Sequence, residues 1–431
     1  MKRRHLGGLW QHSDFLKLWT GQTVSIFGSL ITVVALKWLA IIVLNATAVQ
    51  MAILGAADLV PGILAGLVAG VWVDRLRRRP LLIGADAGRA ILLATIPAAA
   101  VLHLLRIEQL YVVAFLTGML TVVFDVAYLS YLPSLLRREE LVEGNSKLAA
   151  TASVAEVGAF GISGWLVQWL TAPFAILIDA VSFVVSAASL LLVRARERKP
   201  ESAREGANLR IEIVEGLRIA LGNPFLRAIA GCTVSIGLTR GILGTVILLY
   251  LTREVGFQPA VLGLIFAVGG VSSFFGALIA GWTARRLGIG PALTVGLLLS
   301  GAGTLLIPLA HSVSLGAVVL LVANQLVTDP AHTIYDITEV SLRQAITPER
   351  LLGRVNASMR FAGLLAMLAG TLLGGVLGQA IGLRMTEVIG ALITVAATLW
   401  ILTSPARRLR GTPERIGERS GLQLGLGQLE G

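Results

Sequence analysis

Charged side chains stand alone inside long apolar runs of this chain: Lys37, Asp58, Glu156 and Asp179 in its first half, then Arg240, Asp329, His332, Asp336 and Glu339 in its second. An ionisable group in such a run is costly and normally faces a bundle interior or water. Asp58 falls about eight residues from the outer end of its run, roughly 12 Å at 1.5 Å per residue. Glu156 falls about eleven residues from the start of its own, near mid-depth. Desolvation makes a carboxylate hold its proton toward neutral pH, which is the property a proton carrier needs. Lys37 is a candidate counter-charge for Asp58 or Asp179, and each of these residues reads equally as half of a buried structural ion pair. Asp329, His332 and Asp336, three and four positions apart, share one predicted helix face. Histidine titrates near neutral pH, so a proton relay is one reading of that face. The Asp329-Pro330 step predicts a local break that exposes backbone. Asp86 and Arg89, three apart, read as a structural pair.

The elements that must position these groups are membrane spans. The chain is 55% hydrophobic and 14% charged over 431 residues, with a mean hydropathy of +0.80. Soluble chains are about a quarter charged. Cutting at charge clusters, Pro and Gly gives twelve candidate helices, at 14–45, 50–73, 80–104, 109–133, 145–170, 172–194, 224–252, 258–284, 291–311, 314–345, 352–380 and 384–403. Backbone in lipid has no water to bond, so helices are the expected element. The net charge of +11 is gathered in alternate loops: Lys2 to Arg4, Arg75 to Arg79, Arg137 and Arg138, Arg194 to Lys199, Arg285 and Arg286, Arg343 to Arg354, and Arg407 to Arg410. Alternation of this kind predicts that those loops and both termini are cytoplasmic. The other loops hold scattered cations such as Arg106, Arg253 and Arg384. Cys232 is the single cysteine, which excludes a disulfide framework and a cysteine zinc site.

The second half echoes the first at a shift of about 211 residues. FLKLWTGQTVSIFG at 15–28 matches FLRAIAGCTVSIG at 225–237, and AGVWVDRLRRRP at 69–80 matches AGWTARRLGIGP at 280–291. Asp125, Ser130 and Asn145 fall on Asp336, Ser341 and Asn356. Two six-helix halves related by an axis along the membrane normal place a shared cavity between them. The expected organisation is a bundle over 1–194, a cytoplasmic linker over 195–223, a second bundle over 224–404 and a tail over 405–431. In the linker, Leu209, Ile213, Leu217 and Ala220 share one face, the pattern of a surface-lying amphipathic helix or of a solvated linker helix.

Twelve spans, the repeat, and G-x-x-x-D-R-x-x-R-R at residues 70–79 resemble the major facilitator superfamily. LVPGILAGLVAGVWVDRLRRRPLLIGADAGRAILL, with IEIVEGLRIALGNPFLRAIA after the linker, is similar to its macrolide-efflux and enterobactin-exporter branch. The resemblance implies an all-α polytopic membrane protein of twelve helices in two pseudo-symmetric bundles. It also implies a conformational latch of Asp74, Arg75, Arg78 and the fourth-span Asp125, closing the cytoplasmic ends in the outward-facing state. The family's loop glycine is replaced by Arg77. In the second copy Arg285 stands where Asp74 stands in the first, beside Arg286, while Asp336 remains, so an asymmetric latch is expected. The G-P-x-x-x-G element frequent in span five of the superfamily's antiporters has lost its proline, since Ala159 follows Gly158.

No Walker loop and no nucleophile elbow occurs in the sequence, which speaks against an ATP-driven pump and against an enzyme. The basic residues form loop clusters rather than a domain face, which speaks against nucleic acid. The leading expectation is a monomeric secondary exporter in the cytoplasmic (inner) membrane. It would move amphipathic small molecules, drug-like or siderophore-like and cationic ones included, by proton antiport through rocker-switch alternating access. It would need no cofactor beyond the proton gradient, and its partners would be the lipid bilayer, the solute and protons. A proton-coupled or facilitated importer, and a non-transporting receptor or scaffold, are the alternatives.

Overall fold

In the computed structural model the described residues are 9, 12–73, 77–137, 140–194 and 209–411, and the side chains at 65–73, 156, 157, 160 and 209–213 lie outside that description. Among them the chain is helical: α1 (Ser13–Trp38), α2 (Ala48–Val73), α3 (Arg78–Val101), α4 (Ile107–Leu135), α5 (Leu141–Leu170), α6 (Ala172–Leu192), α7 (Leu209–Gly222), α8 (Pro224–Leu249), α9 (Pro259–Leu287), α10 (Ile289–Thr304), α11 (Leu315–Ile346), α12 (Glu349–Ala380) and α13 (Leu383–Leu402). Nine of the described helices are long and apolar enough to cross a bilayer. The other long ones are α2, α5 and α11, at the remaining predicted positions. Asp329, Asp336, Glu339 and Arg343 interrupt the apolar character of α11. Large apolar side chains such as Ile91, Leu129, Phe274, Leu278 and Trp282 point outward, as they must where the solvent is hydrocarbon.

Local chemistry repeats with the sequence. His12 Nδ1 accepts from Phe15 N to cap α1, and Asn223 Oδ1 accepts from Phe225 N and Leu226 N to cap α8, 211 positions later. At their other ends both helices widen into a π-turn, at Leu39–Val43 and Tyr250–Glu254. Each then turns through a residue with positive φ, Asn45 at 51° and Gly256 at 93°. A second positive-φ pair, Thr171 and Gly382, turns α5 into α6 and α12 into α13 at φ 66° and 88°. The second half uses glycine in both places, where a Cβ would be strained.

Helices α1 to α6 pack among themselves, as do α8 to α13, and the two sets meet through α2 with α12 and α8, and α5 with α9. One apolar cluster crosses from set to set, joining Trp38, Leu39 and Met51 with Leu249, Tyr250 and Leu262 at the ends remote from the basic loops. At the basic-loop ends there are instead two separate clusters. One gathers Phe15, Leu82, Phe124 and Tyr131, and the other Leu226, Leu297, Tyr335 and Met359. The amphipathic α7 is seated on α12: Gly216 lies against the Arg354 carbonyl and Ser358, Ala220 is buried, and Glu215 pairs with Arg354 at 2.7 Å.

Two expectations fail here. Helix α11 runs unbroken through Pro330. Gly276 of α9 leaves room for Pro330, and in the turn before it Ser272 Oγ donates to the Gln325 carbonyl at 2.8 Å. Nor do Asp329, His332 and Asp336 form one row. Asp329 turns its carboxylate to Gly269 of α9, while His332 and Asp336 turn to α8.

Candidate functional site

Between the two sets lies a cavity of about 450 Å³. Its walls come from α1, α2, α3, α4, α6, α8 and α12, so neither set makes it alone. Apolar side chains dominate, among them Leu36, Leu54, Leu59, Leu93, Phe183 and Met367. Five ionisable groups interrupt them: Lys37, Asp58, Arg89, Asp179 and Arg240. Such a chamber, apolar with a few convergent polar groups, is what a small-molecule site requires.

The acids divide by partner. Lys37 on α1 and Asp58 on α2 both line the cavity and feel each other's charge, with no nitrogen–oxygen contact within 4.0 Å between them. Asp179 on α6 is 1% exposed and accepts from Ser182 Oγ at 2.9 Å. Gly28 of α1 faces this pair, where any Cβ would collide with both side chains. Arg89 is the residue the sequence undervalued. It is bound to Asp86, as expected, yet it also lines the cavity. Its guanidinium carbon lies 4.5 Å from the Phe124 ring centre and 4.1 Å from that of Phe183, with Thr121 Oγ1 at 3.4 Å. Stacking on two aromatic faces helps hold a buried guanidinium. Only a knowledge of which rings surround α3 would have revealed it.

A second cavity of about 540 Å³ adjoins the first and shares Arg240 and Met367 with it. It lies among α8, α11 and α12 toward the basic-loop ends. Arg240 donates to His332 Nε2 and sits 3.6 Å from Asp336, which is itself 3.4 Å from His332. One turn on, Glu339 pairs with Arg343 at 3.3 Å. Asp336 is therefore engaged by α8. Arg285 and Arg286, expected beside it, are exposed at the end of α9, with Arg286 over the Trp282 ring at 5.9 Å.

Of the expected first-half latch, Asp74 and Arg75 lie outside the described residues, as does the Glu156 side chain. Arg78 opens α3, half-buried. Its neighbour Arg79 donates to the Leu190 and Leu191 carbonyls at 3.0 and 2.8 Å, capping the end of α6. Asp125 feels Arg89 and, from the other set of helices, Arg360 of α12.

The opposite ends are clasped. Arg253, a scattered loop cation in the sequence, donates to the Ala46 and Ile41 carbonyls at 2.7 and 2.8 Å, across the seam. Gln168 donates to Gln258 at 3.1 Å and accepts from Ala260 N at 3.2 Å. Gly375 of α12 lets the backbone of α2 approach at Ala48 and Val49, and Gly164 of α5 does so at Pro259 of α9. A further buried group was missed altogether: Glu387 on α13 is 0% exposed and, among the described residues, neither carboxylate oxygen has a hydrogen-bond partner. Its signal was a lone acid in LRMTEVIGALITV.

The sequence model of the Major Facilitator Superfamily matches residues 18–323 and 229–429. The chain belongs to the Major Facilitator Superfamily. This transporter is 24% identical over 399 residues to YfiS of Bacillus subtilis strain 168, an MFS-type transporter, covering 90% of this chain and 92% of that one. It is 26% identical over 367 residues to the multidrug efflux pump Tap of Mycolicibacterium fortuitum, covering 83% and 88%. Among solved structures, the nucleoside transporter NupG superposes with a TM-score of 0.72 at 12% identity, over 90% of this chain and 98% of that one. A bacterial homologue of the iron transporter ferroportin, in its inward-facing state, gives 0.73 at 18% identity over the same shares. These likenesses show the fold of the transporter, a multi-pass all-α membrane protein, and it is not an enzyme.

Proposed function

We propose that the protein is a proton-coupled exporter of amphipathic small molecules, of the drug- or siderophore-exporting kind, acting as a monomer in the cytoplasmic membrane with both termini inside. The observation that carries the reading is the apolar chamber built by both sets of helices, with the Lys37–Asp58 pair in its wall and its seam clasped at the ends remote from the basic loops. The relation to Tap favours export over import. With basic loops cytoplasmic, the chamber faces inward and receives solute from the cytoplasm or inner leaflet. Rocking the halves would open the clasp and bring the basic-loop ends together, where Arg78, Asp125 and their loop partners Asp74 and Arg75 would latch. A proton on Asp58 would remove the charge that holds Lys37. Solute and proton then compete for one pair of groups, and that competition couples their opposite flows. Glu156 is the second carrier to test, and no cofactor enters the scheme.

The test uses inverted membrane vesicles with an imposed proton gradient and an efflux substrate such as ethidium or erythromycin. Solute addition should release protons from the acidified lumen, and Asp58→Asn should abolish that release at unchanged expression. Normal coupling in both Asp58→Asn and Glu156→Gln would overturn the carrier assignment. Proton movement in the same direction as solute would make the protein an importer, and binding without flux would make it a receptor.

A further inference from the structure

The charges of the second cavity do not balance. Three guanidinium groups, Arg240, Arg343 and Arg360, face two carboxylates, Asp336 and Glu339. Both acids are committed, Glu339 to Arg343 and Asp336 to Arg240 and His332. Arg360 is exposed to the cavity and makes no ion pair among the described residues. The charge it meets is that of Asp125, across the seam on α4. In the first cavity Lys37 and Arg89 are matched in number by Asp58 and Asp179, and Arg89 also binds Asp86. Within the second cavity the lining charge is thus positive by one, three guanidinium groups against two carboxylates, while the first cavity is mainly apolar.

We propose that the second cavity holds the anionic group of the transported solute, a carboxylate, sulfonate or phosphate ester received by Arg360 with Arg240 beside it, while the solute's apolar body lies in the first cavity. A guanidinium presents two parallel N–H donors matched to two anionic oxygens, and such bonds are among the stronger ones available. Met367 and Arg240 line both cavities, so the two lie side by side, and a solute with its anionic group on Arg360 would direct its apolar body toward the first. Volumes of about 450 and 540 Å³ suit a small amphipathic anion. Its sign is opposite to the cationic solutes that the apolar sequence suggested. The inference rests on the reading of the chamber as the solute site and is independent of proton coupling.

A matched pair of fluorescent probes tests it: pyrenebutyrate and pyrenebutylamine, which share an apolar body and differ in charge. Binding is measured with the full chain in neutral phosphatidylcholine nanodiscs, empty discs subtracted, without a gradient. Arg360→Gln should weaken the carboxylate probe roughly ten- to a hundred-fold and leave the amine within about twofold. Arg360→Lys should recover part of the loss, and Asp125→Asn, which removes the competing acid, should leave the anion bound as well or better. An equal effect of Arg360→Gln on both probes, or none on the carboxylate, would overturn the assignment. So would an Asp125→Asn variant as weak as Arg360→Gln, because Arg360 would then act only as half of a latch. Failure of the antiport test with the charge preference intact would sink the coupling scheme alone.

Discussion

Replacing Arg253 by alanine removes two hydrogen bonds, at 2.7 and 2.8 Å, from the guanidinium to the Ala46 and Ile41 carbonyls. Ile41 lies in the π-turn that follows α1 and Ala46 in the turn before α2, so the bonds tie the halves together on the side where the seam is closed. A hydrogen bond to a charged group is worth about 1.5–3 kcal/mol when well shielded. Arg253 is exposed to solvent, which reduces each bond to about 1 kcal/mol. The pair then contributes about 2 kcal/mol to the closed arrangement. At about 1.4 kcal/mol per decade, the balance between closed and open shifts roughly thirty-fold. The readout is a cysteine at Leu54 in the chamber wall, in a background where Cys232, the only native cysteine, is serine. Intact cells are treated with a membrane-impermeant maleimide. Leu54→Cys should label slowly with Arg253 present and at least ten times faster with Arg253→Ala, with Arg253→Lys between them. Equal rates in all three would refute the clasp, provided that inverted vesicles label alike and so show an intact chamber.

Other outcomes follow from the same geometry. A Cβ at Gly375 would lie 3.0 Å from the Ala48 carbonyl and 3.2 Å from Val49 Cα, so Gly375→Val should prop the seam open and raise the same outside labelling without help from Arg253→Ala. Thr171 holds φ at 66°, a strain of about 1–3 kcal/mol for a residue with a Cβ; Thr171→Gly should raise the unfolding temperature by about 1–3 °C, and the same change in reverse, Gly382→Thr, should lower it. Arg89→Leu leaves the 0%-exposed Asp86 with no counter-charge, so a loss of about 3–5 kcal/mol is expected, seen as poor folded yield in fluorescence size-exclusion, and the double change Arg89→Leu with Asp86→Leu should recover part of it. The Glu215–Arg354 pair is about 40% exposed on both sides; Glu215→Gln should cost less than about 1 kcal/mol in thermal stability.

The positions of the helices, their boundaries within a few residues and the repeat were legible because hydropathy, caps and turns are local. His12 and Asn223, or Thr171 and Gly382, announce the same turn twice along the chain. Lys37, Asp58, Asp179 and Arg240 of the chamber were legible for a related reason: each is a charge standing alone in an apolar run. Pairings were not. Lys37 had two candidate acids on other helices, and which of their charges it feels depends on how those helices pack. Asp329 and Asp336 share a helix and a residue type, yet one faces α9 and the other α8. The 3.6-residue period fixes the angle between side chains on one helix, while the neighbour met at each angle depends on how helices cross.

By itself, then, the sequence determined that the chain spans a membrane in two related halves with acids and bases between them. That information is carried by transfer energies, which each residue contributes on its own. The tertiary structure alone decided that Arg89 enters the cavity, that Arg253 clasps the closed end and, among the described residues, that Arg360 has no ion pair and Glu387 is buried without a hydrogen-bond partner. Each of these depends on distances between segments remote in sequence, and Coulomb and hydrogen-bond energies are set by those distances.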